Sequence, residues 1–201
     1  GLVASLEEAE RSYYGTSLFA DIFCDLKRAP LWLESAVASL PGVAESEARV
    51  KGVINLDVPG MKEPVSGLVL SLPEGRSQRL NLLHLKAGRL PEQGRRDEIA
   101  ASSGFAAAHG FLPGDELEGT IHGVRRRFMI AGIVMSPEFV YQTQSGEILP
   151  DPKRFGVFWM NASGLSGALG LDGAFNSLSV RLSPGAEGEE VMAGIDRLLE
   201  P

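Results

Sequence analysis

The stretch that decides the fold is SLFADIFCDLKRAPLWLESAVASLPG, residues 17–42. Its first part alternates between two faces, one of which is formed by Leu18, Ala20, Ile22 and Cys24. This period of two predicts a strand over Ser17–Leu26 with one buried face. Pro30 then opens a helix, whose apolar stripe consists of Leu33, Ala36, Val37 and Leu40. Since Pro41-Gly42 ends that helix, this stretch predicts a strand followed by a helix. A further helix is predicted before it at Leu2–Tyr14, from the helical spacing of Leu2, Leu6, Ala9 and Tyr13.

Both ends of the chain carry elements of ordinary length. After the first helix, extended segments are predicted at Val43–Val50, Val53–Val58 and Val65–Leu72. The last part predicts a strand, a small helix, a strand and a helix, at Val157–Met160, Ala162–Leu169, Ser177–Leu182 and Glu189–Leu199. Together the two ends predict one α+β subdomain, into which the middle of the chain is inserted.

The middle section, from about Leu80 to Tyr141, has short elements and frequent glycines. A short helix is predicted from Ser102 or Ser103 to Ala108, and two strands at Glu116–Ile121 and Val124–Val134 are joined by a turn at His122-Gly123. Short strands with tight turns predict a small β-barrel or sandwich. A polar stretch between Tyr141 and Phe155 contains Pro150 and Pro152 and predicts a long exposed loop.

Composition excludes several classes of partner. The 201 residues carry 19 basic and 26 acidic side chains, for a net charge of −7. This balance argues against nucleic acid and against tight docking on an anionic lipid surface. No apolar run reaches the roughly 18–20 residues of a membrane span. That absence fits a cytosolic protein, and it equally fits a fragment taken from between two membrane helices.

No catalytic constellation is visible in the sequence. His84, His109 and His122 lie outside any metal-ligand spacing, and there is neither a phosphate-binding loop nor a nucleophile elbow. The sequence therefore predicts no catalytic residues, no cofactor site and no metal site. Arg125-Arg126-Arg127 is the one dense basic spot, and we expect two of the three side chains to share a face and form a local ion-pair network.

Several segments resemble, in order, the periplasmic core domain of MacB/FtsX-type ABC transporter permeases. The matching segments are Ala20–Pro30, Ser39–Ala44 with its LPGV turn, Gly88–Pro91 before Asp97-Glu98, Phe105–Asp115, Ile130–Tyr141 and Arg154–Met160. The resemblance implies a porter-like α+β subdomain and a smaller inserted β-rich subdomain. It gives residues 1–16 as a membrane-proximal helix or stalk, 17–79 and 155–201 as the porter-like part, and 80–154 as the insertion with its loop.

The resemblance also implies a function. In such a permease the domain is non-catalytic, lies on the periplasmic side of the cell inner membrane, and couples cytoplasmic ATP hydrolysis to movement of substrates or partner proteins outside, which is called mechanotransmission. Its implied partners are a second permease copy, a cytoplasmic ATPase acting through the membrane helices, and a periplasmic adaptor, lipoprotein or peptide cargo. No cofactor and no nucleic acid are implied.

Partner contact is predicted on the inserted subdomain and the Gln142–Arg154 loop, because exposed loops on rigid scaffolds commonly carry recognition. The predicted contact residues are Ile148, Leu149, Phe139 and Tyr141. An alternative function is a binding module that captures a lipid, lipoprotein or peptide in an apolar groove, lined by Phe139, Tyr141, Phe155 and Trp159. A cytosolic enzyme is a further alternative, which the missing constellation disfavours.

Overall fold

The computed structural model of the chain describes residues 18–139 and 151–200. Its strands are β1 (Ile22–Pro30), β2 (Val43–Arg49), β3 (Lys51–Asp57), β4 (Val65–Leu72), β5 (His84–Gly88), β6 (Glu98–Ser102), β7 (Glu116–Ile121), β8 (Val124–Met135), β9 (Phe155–Asn161) and β10 (Ala174–Leu182). Its helices are α1 (Trp32–Ala38), α2 (Ser103–His109), α3 (Ala162–Leu169) and α4 (Gly188–Leu199). The α+β class is confirmed, while the helix predicted at Leu2–Tyr14 lies outside the described residues. No helix in the described ranges is long and apolar enough to cross a bilayer.

The ends of the chain meet in a small antiparallel sheet. Its strand order is β1-β10-β2, so that the last strand of the chain lies between the first two. Helices α1 and α4 pack together, and each contributes fully buried apolar side chains to the core, namely Leu33 and Val37 from α1 and Val191 and Ile195 from α4. Residues four apart share one face of a helix, which is why both buried residues of each helix face the core.

The start of β1 differs from the sequence prediction. The strand begins at Ile22 instead of Ser17, because Leu18 has a positive φ of 52° and turns the chain. The backbone N–H of Ala20 then donates to the Asn81 side chain at 3.0 Å instead of to a neighbouring strand. At the other end, the apolar spacing of the predicted Glu189–Leu199 helix places Leu199 on its buried side, but Leu199 is 42% exposed, since it closes the last turn of α4.

The remaining seven strands form a second sheet that closes on itself. Strand β8 pairs with β7 through its first half and with β6 through its second half. The pairings β8-β6-β9-β4-β3-β7-β8 form a complete circuit, to which β5 adds as an extra strand along β8. The circuit is a six-stranded barrel, and its interior is filled by buried side chains such as Ile54, Ile121, Phe128 and Phe158.

The barrel is packed so tightly that its walls require glycine. A Cβ atom added at Gly119 would lie 2.7 Å from the Ile54 side chain. One added at Gly67 would lie 2.7 Å from the Phe158 ring. Both distances are well below van der Waals contact, so only glycine lets these strands pass close to the interior side chains.

The barrel takes strands from both predicted segments. Strands β5 to β8 belong to the predicted insertion, whereas β3, β4 and β9 belong to the segments predicted as the porter-like subdomain. The sequence predicted a small barrel or sandwich in the middle section alone; the barrel is present, but three of its strands come from outside that section. The division into 17–79 with 155–201 and 80–154 stays a prediction.

The chain passes from the small sheet to the barrel at Val50, and it returns from β9 to β10 through α3. Strand β2 ends at Arg49 in the small sheet, and β3 begins at Lys51 in the barrel, so Val50 is the only residue between them. The backbone N–H of Val50 donates to Ser71 Oγ at 2.7 Å, and its carbonyl accepts from the Ser71 N–H at 2.9 Å. We call Arg49–Lys51 and the side chains bonded to it the Val50 junction.

We expect Leu33→Asp to unfold the domain, because Leu33 is only 1% exposed and an unpaired carboxylate there would lie in the apolar core. Ser35→Asp, which places the same charge on the exposed face of α1, is the matched control and should melt close to the wild type. Thermal unfolding followed by circular dichroism checks both. A Leu33→Asp protein with the wild-type melting temperature would show that this face of α1 does not bury against the sheet.

Candidate partner-contact surface

An apolar stripe crosses the outer wall of the barrel. Alternation along β9 turns Phe158 inward and Val157 and Trp159 outward. The outward side chains pack with those of neighbouring strands, namely Leu70, Leu72, Ala100 and Val134. Four half-buried residues cover this set: Leu68, Leu83, Phe139 and Phe155. We call these ten residues the outer stripe.

The outer stripe contains one predicted contact residue, Phe139, and three of the four predicted groove residues, Phe139, Phe155 and Trp159. Phe139 meets Trp159 edge to face, with ring centroids 6.0 Å apart and an interplanar angle of 74°. Phe155 packs on the same side chains. Trp159 is only 2% exposed, so its ring is covered in the folded chain. Tyr141, Ile148 and Leu149 lie outside the described residues, and the contact role of all four predicted residues stays a prediction.

The chain that leads to residue 140 is held to the small sheet by an ion pair. The Arg49 guanidinium donates to both carboxylate oxygens of Glu138, at 2.8 and 2.6 Å. The two side chains are 12% and 11% exposed, and Arg49 also lies over the Phe23 ring, 5.9 Å from its centroid. A two-point contact between planar groups fixes orientation as well as distance. Glu138, and with it Phe139, is therefore positioned by β2.

The chain that follows residue 150 is held to the barrel. The carbonyl of Asp151 accepts from the N–H groups of Arg154 and Phe155, at 2.8 and 3.0 Å, which closes a turn before β9. The carbonyl of Arg154 accepts from the Ser66 N–H at 2.9 Å. His109 Nε2 lies 2.8 Å from the carbonyl of Lys153. Both flanks of residues 140–150 are thus fixed at defined places on the surface.

The Gly88–Glu98 segment, which carries part of the family resemblance, is organised around one buried carboxylate. Glu98 is fully buried and accepts two hydrogen bonds from the Arg89 guanidinium, at 2.7 and 2.8 Å, and one from the Glu92 N–H at 2.8 Å. The hydrogen bonds from Arg89, followed by that from Glu92, lower the pKa of Glu98 from its ordinary 4.5 to about 2. Asn161 fastens the same segment by donating to the Glu92 and Arg95 carbonyls.

The predicted basic cluster takes part in ion pairs on the β7–β8 hairpin. Arg125 and Arg127 both pair with Glu118 across the β7–β8 hairpin, which confirms the predicted ion-pair network and the predicted sharing of a face. They line an open cleft of about 670 Å³ beside the β3–β4 turn. His122 occupies the hairpin turn with a φ of 49°. Within the described ranges there is no group of three or more His, Cys, Asp or Glu side chains that could hold a metal ion.

Removing the Glu138 carboxylate should leave Arg49 as an uncompensated charge in a mostly buried site. We expect Glu138→Gln to lower the free energy of unfolding by about 3 kcal/mol. In a double-mutant cycle with Arg49→Met, the double variant should lose less than the sum of the single variants, because the two changes remove one shared interaction. Glu63→Gln, which breaks the exposed pair with Arg154, is the control and should cost less than about 1 kcal/mol. Strictly additive losses in urea unfolding would contradict the coupling.

The Glu98 carboxylate should make stability depend on pH. Because its pKa is lowered to about 2 in the folded chain, its contribution is complete above the ordinary value of 4.5 and is lost as the pH falls from there towards 2. At pH 7, Glu98→Gln should therefore unfold more easily by about 1.5–3 kcal/mol, and the difference from the wild type should shrink on acidification. Glu189→Gln removes an exposed carboxylate from α4 as the control. A difference that stays constant from pH 7 to pH 3 would contradict the role of Glu98.

Comparison with known proteins addresses the fold. No family model matches the sequence, and no curated protein matches it. Among solved structures, the extracellular domain of the noncanonic ABC-type transporter YknZ from Gram-positive bacteria is similar with a TM-score of 0.55 and 11% identity, over 88% of this chain and 90% of that chain. The periplasmic region of MacB from Actinobacillus actinomycetemcomitans is similar with a TM-score of 0.51 and 12% identity, over 85% and 72% of the two chains. The chain therefore has the fold of these extracytoplasmic ABC transporter domains, which confirms at the level of fold its resemblance to the MacB/FtsX-type permeases.

Proposed function

We propose that this chain is the extracytoplasmic domain of an ABC transporter permease, on the periplasmic side of the cell inner membrane. It couples ATP hydrolysis by a cytoplasmic ATPase to movement of substrates or partner proteins outside that membrane, and it performs no chemistry of its own. The observation that carries the proposal is the shared fold, which extends over 88% of this chain and 90% of the YknZ domain.

The internal connections support a role in transmitting movement. A domain that passes on a displacement must move as one body, since soft connections would absorb the motion. Here the small sheet and the barrel share the Val50 junction, and the Asn176 side chain of β10 bonds both the N–H and the carbonyl of Lys51, at 2.7 and 2.8 Å. Arg49 adds the buried ion pair to Glu138. A force applied to the small sheet therefore reaches the outer stripe through short, directional contacts.

The proposed partners follow from the same role. A second permease copy and the ATPase act through membrane helices, and an adaptor, lipoprotein or peptide cargo contacts the domain outside. We place this outer contact at the Gln142–Arg154 loop and at Phe139, Tyr141, Ile148 and Leu149. The support is that the described flanks, Glu138–Phe139 and Asp151–Phe155, are both fixed to the folded core, so that the loop between them starts from rigid ends.

A second candidate function is direct capture of a lipid, lipoprotein or peptide on the outer stripe. The observation in its favour is that Phe139 and Phe155 remain half-buried at the rim of this apolar patch. The low exposure of Trp159, 2%, favours the first proposal, because a ligand on this patch would have to reach its ring.

The test is a distance measurement on the full-length gene product, reconstituted with its ATPase in lipid nanodiscs. A spin label at Val124→Cys, an exposed position on the β7–β8 hairpin, in a Cys24→Ser background reports the separation between two copies. We expect this distance to differ between the nucleotide-free and ATP-trapped states, because the domains move as bodies with the membrane helices.

Two controls accompany the measurement. An ATPase variant that cannot bind ATP should show the nucleotide-free distance in every condition. The isolated domain should hydrolyse no ATP. Identical distances in all nucleotide states would contradict mechanotransmission, and ATP turnover by the isolated domain that a point substitution in it abolishes would contradict the non-catalytic role.

A further inference from the structure

Strand β1 is an uncovered edge of the small sheet. It pairs with β10 on one side, and no strand in the described ranges pairs with its other side. The opposite edge, β2, is covered by α1, whose Glu34 carboxylate accepts from the Ala48 N–H. An edge strand presents N–H and C=O groups to which a further strand can bond. The small sheet can therefore be extended at β1.

Apolar side chains border this edge on both faces of the sheet. Phe23 is 42% exposed, although its ring meets Phe19 edge to face with centroids 5.8 Å apart. Ile22, Cys24 and Leu26 alternate with it and are only partly buried against the core on the other face. Covering such surface lowers the free energy of a chain in water. A strand added at β1 would cover side chains of both sets.

The charges along β1 make the strand complementary to a second copy of itself. Asp21 and Lys27 are both exposed, and Cys24 lies midway between them. When two copies pair as antiparallel strands about a two-fold axis through Cys24, each Asp21 lies opposite a Lys27 and each Ile22 opposite a Leu26. Opposite charges and apolar side chains in facing positions both stabilise a strand pair.

The charges also exclude the neighbouring registers. Directly opposite residues lie on the same face of a sheet, so the axis must pass through a residue and not between two. An axis through Phe23 would set Asp21 opposite Asp25, and an axis through Asp25 would set that carboxylate opposite itself. Like charges in directly opposite positions are destabilising. An axis through Leu26 falls where β1 leaves its register with β10 after Asp25, so the axis through Cys24 remains.

Helix α4 adds apolar side chains beside the same edge. Burial raises the pKa of the Cys24 thiol, and the charges of Asp196 on α4 and of Asp25 raise it further, so Asp196 lies near Cys24. Met192 and Leu199 are four residues before and three residues after Asp196, and they share its face of the helix. They are 51% and 42% exposed. A second copy that joined at β1 would approach this face of α4.

We propose that β1 pairs with β1 of a second copy of this chain, about a two-fold axis through Cys24. The two small sheets then form one six-stranded sheet, in which the two Phe23 rings are diagonal neighbours on one face. The inference rests on the proposed function and deepens it, because it names the surface between the two permease copies.

Like charges keep this pairing weak. Each copy brings the exposed Asp196 towards the axis and carries a net charge of −7, and both oppose association. The two pairs of Asp21 with Lys27 offset only part of this repulsion, since exposed ion pairs contribute little. We therefore expect the contact to form between copies that the membrane helices already hold together.

Disulfide formation tests the position of the axis. The full-length gene product, in which serine replaces any cysteine other than Cys24, is reconstituted with its ATPase in lipid nanodiscs and oxidised in the nucleotide-free and ATP-trapped states. Directly opposite residues of antiparallel strands have Cα atoms about 4.5–5.5 Å apart, which a disulfide can span. We expect Cys24 to cross-link the two copies in at least one of these states.

The matched control moves the thiol along the strand. Asp21→Cys in a Cys24→Ser background lies three residues from the axis, so its two copies are about 20 Å apart in the paired strands. We expect it to cross-link more slowly than Cys24, although Asp21 is exposed and Cys24 is half-buried. Cross-linking of Asp21→Cys at an equal or higher rate in both states would overturn the proposal. If the Val124 distance still changes with nucleotide in that case, the proposed function stands and only this surface is wrong.

An exchange of charges separates strand pairing from folding. Lys27→Asp and Asp21→Lys each set like charges opposite each other twice in the dimer, so each should slow Cys24 cross-linking by about tenfold. The double variant restores opposite charges and should cross-link at nearly the wild-type rate. Alkylation of Cys24 by iodoacetamide corrects for changes in thiol reactivity. Thermal unfolding of the 201-residue chain checks the fold, since Asp21 also accepts from the Leu182 N–H. A double variant that stays as slow as the single variants would also overturn the proposal.

Discussion

Val50 is the one residue that separates a strand of the small sheet from a strand of the barrel, and the geometry of the whole domain depends on how it is held. A free single-residue link has two soft dihedral angles and would let the sheets swing. Here both backbone groups of Val50 are bonded to Ser71, and both those of Lys51 are bonded to the side chain of Asn176. Ser71 lies in the barrel and Asn176 in the small sheet. Hydrogen bonds from both sheets therefore fix the backbone of Val50 and Lys51.

Buried and half-buried carboxylates hold segments without regular structure in place by accepting hydrogen bonds from them. Glu47, 6% exposed, accepts from the Arg79 N–H at 2.7 Å and from the Arg76 guanidinium at 2.8 Å. Glu98 likewise accepts from the Glu92 N–H, and Glu74 accepts from the Gly94 N–H and from the Ser163 N–H in the first turn of α3. A carboxylate can accept several hydrogen bonds at once, so one side chain can satisfy several backbone donors that a strand partner would otherwise take. Several of the acidic side chains of the chain therefore serve as hydrogen-bond acceptors for its backbone.

Local patterns predicted many elements well. Strands β4 and β7 and helix α3 have the bounds that alternation, turn residues and helical spacing predicted, and the His122-Gly123 turn is where expected. Strands β5 and β6 were missed, because each has only five residues and the sequence around them lacks a clear period. The barrel closure was missed for another reason: its parallel pairs, β4 with β9 and β6 with β8, join distant segments, and no local pattern reports which strands will meet.

At the candidate surface, too, the contacts between distant segments could not be predicted from local sequence patterns. Phe139, Phe155 and Trp159, which were predicted to line one surface, do lie together. Large apolar side chains on neighbouring elements tend to pack. The partner of Glu138 could not be predicted, because Arg49 is 89 residues away in sequence and the pairing depends on the placement of the two sheets.

If the Val50 junction is rigid, the small sheet and the barrel move as one body. Spin labels at Ser35→Cys on α1 and Val124→Cys on the barrel hairpin, in a Cys24→Ser background, measure the distance between the two parts by pulsed electron paramagnetic resonance. We expect one narrow distance distribution, which stays narrow in the control Asn55→Ala, an exposed position on β3, and broadens in Asn176→Ala. A broad distribution in the otherwise wild-type domain, or one that Asn176→Ala leaves unchanged, would contradict the claim that the Val50 junction makes the domain rigid.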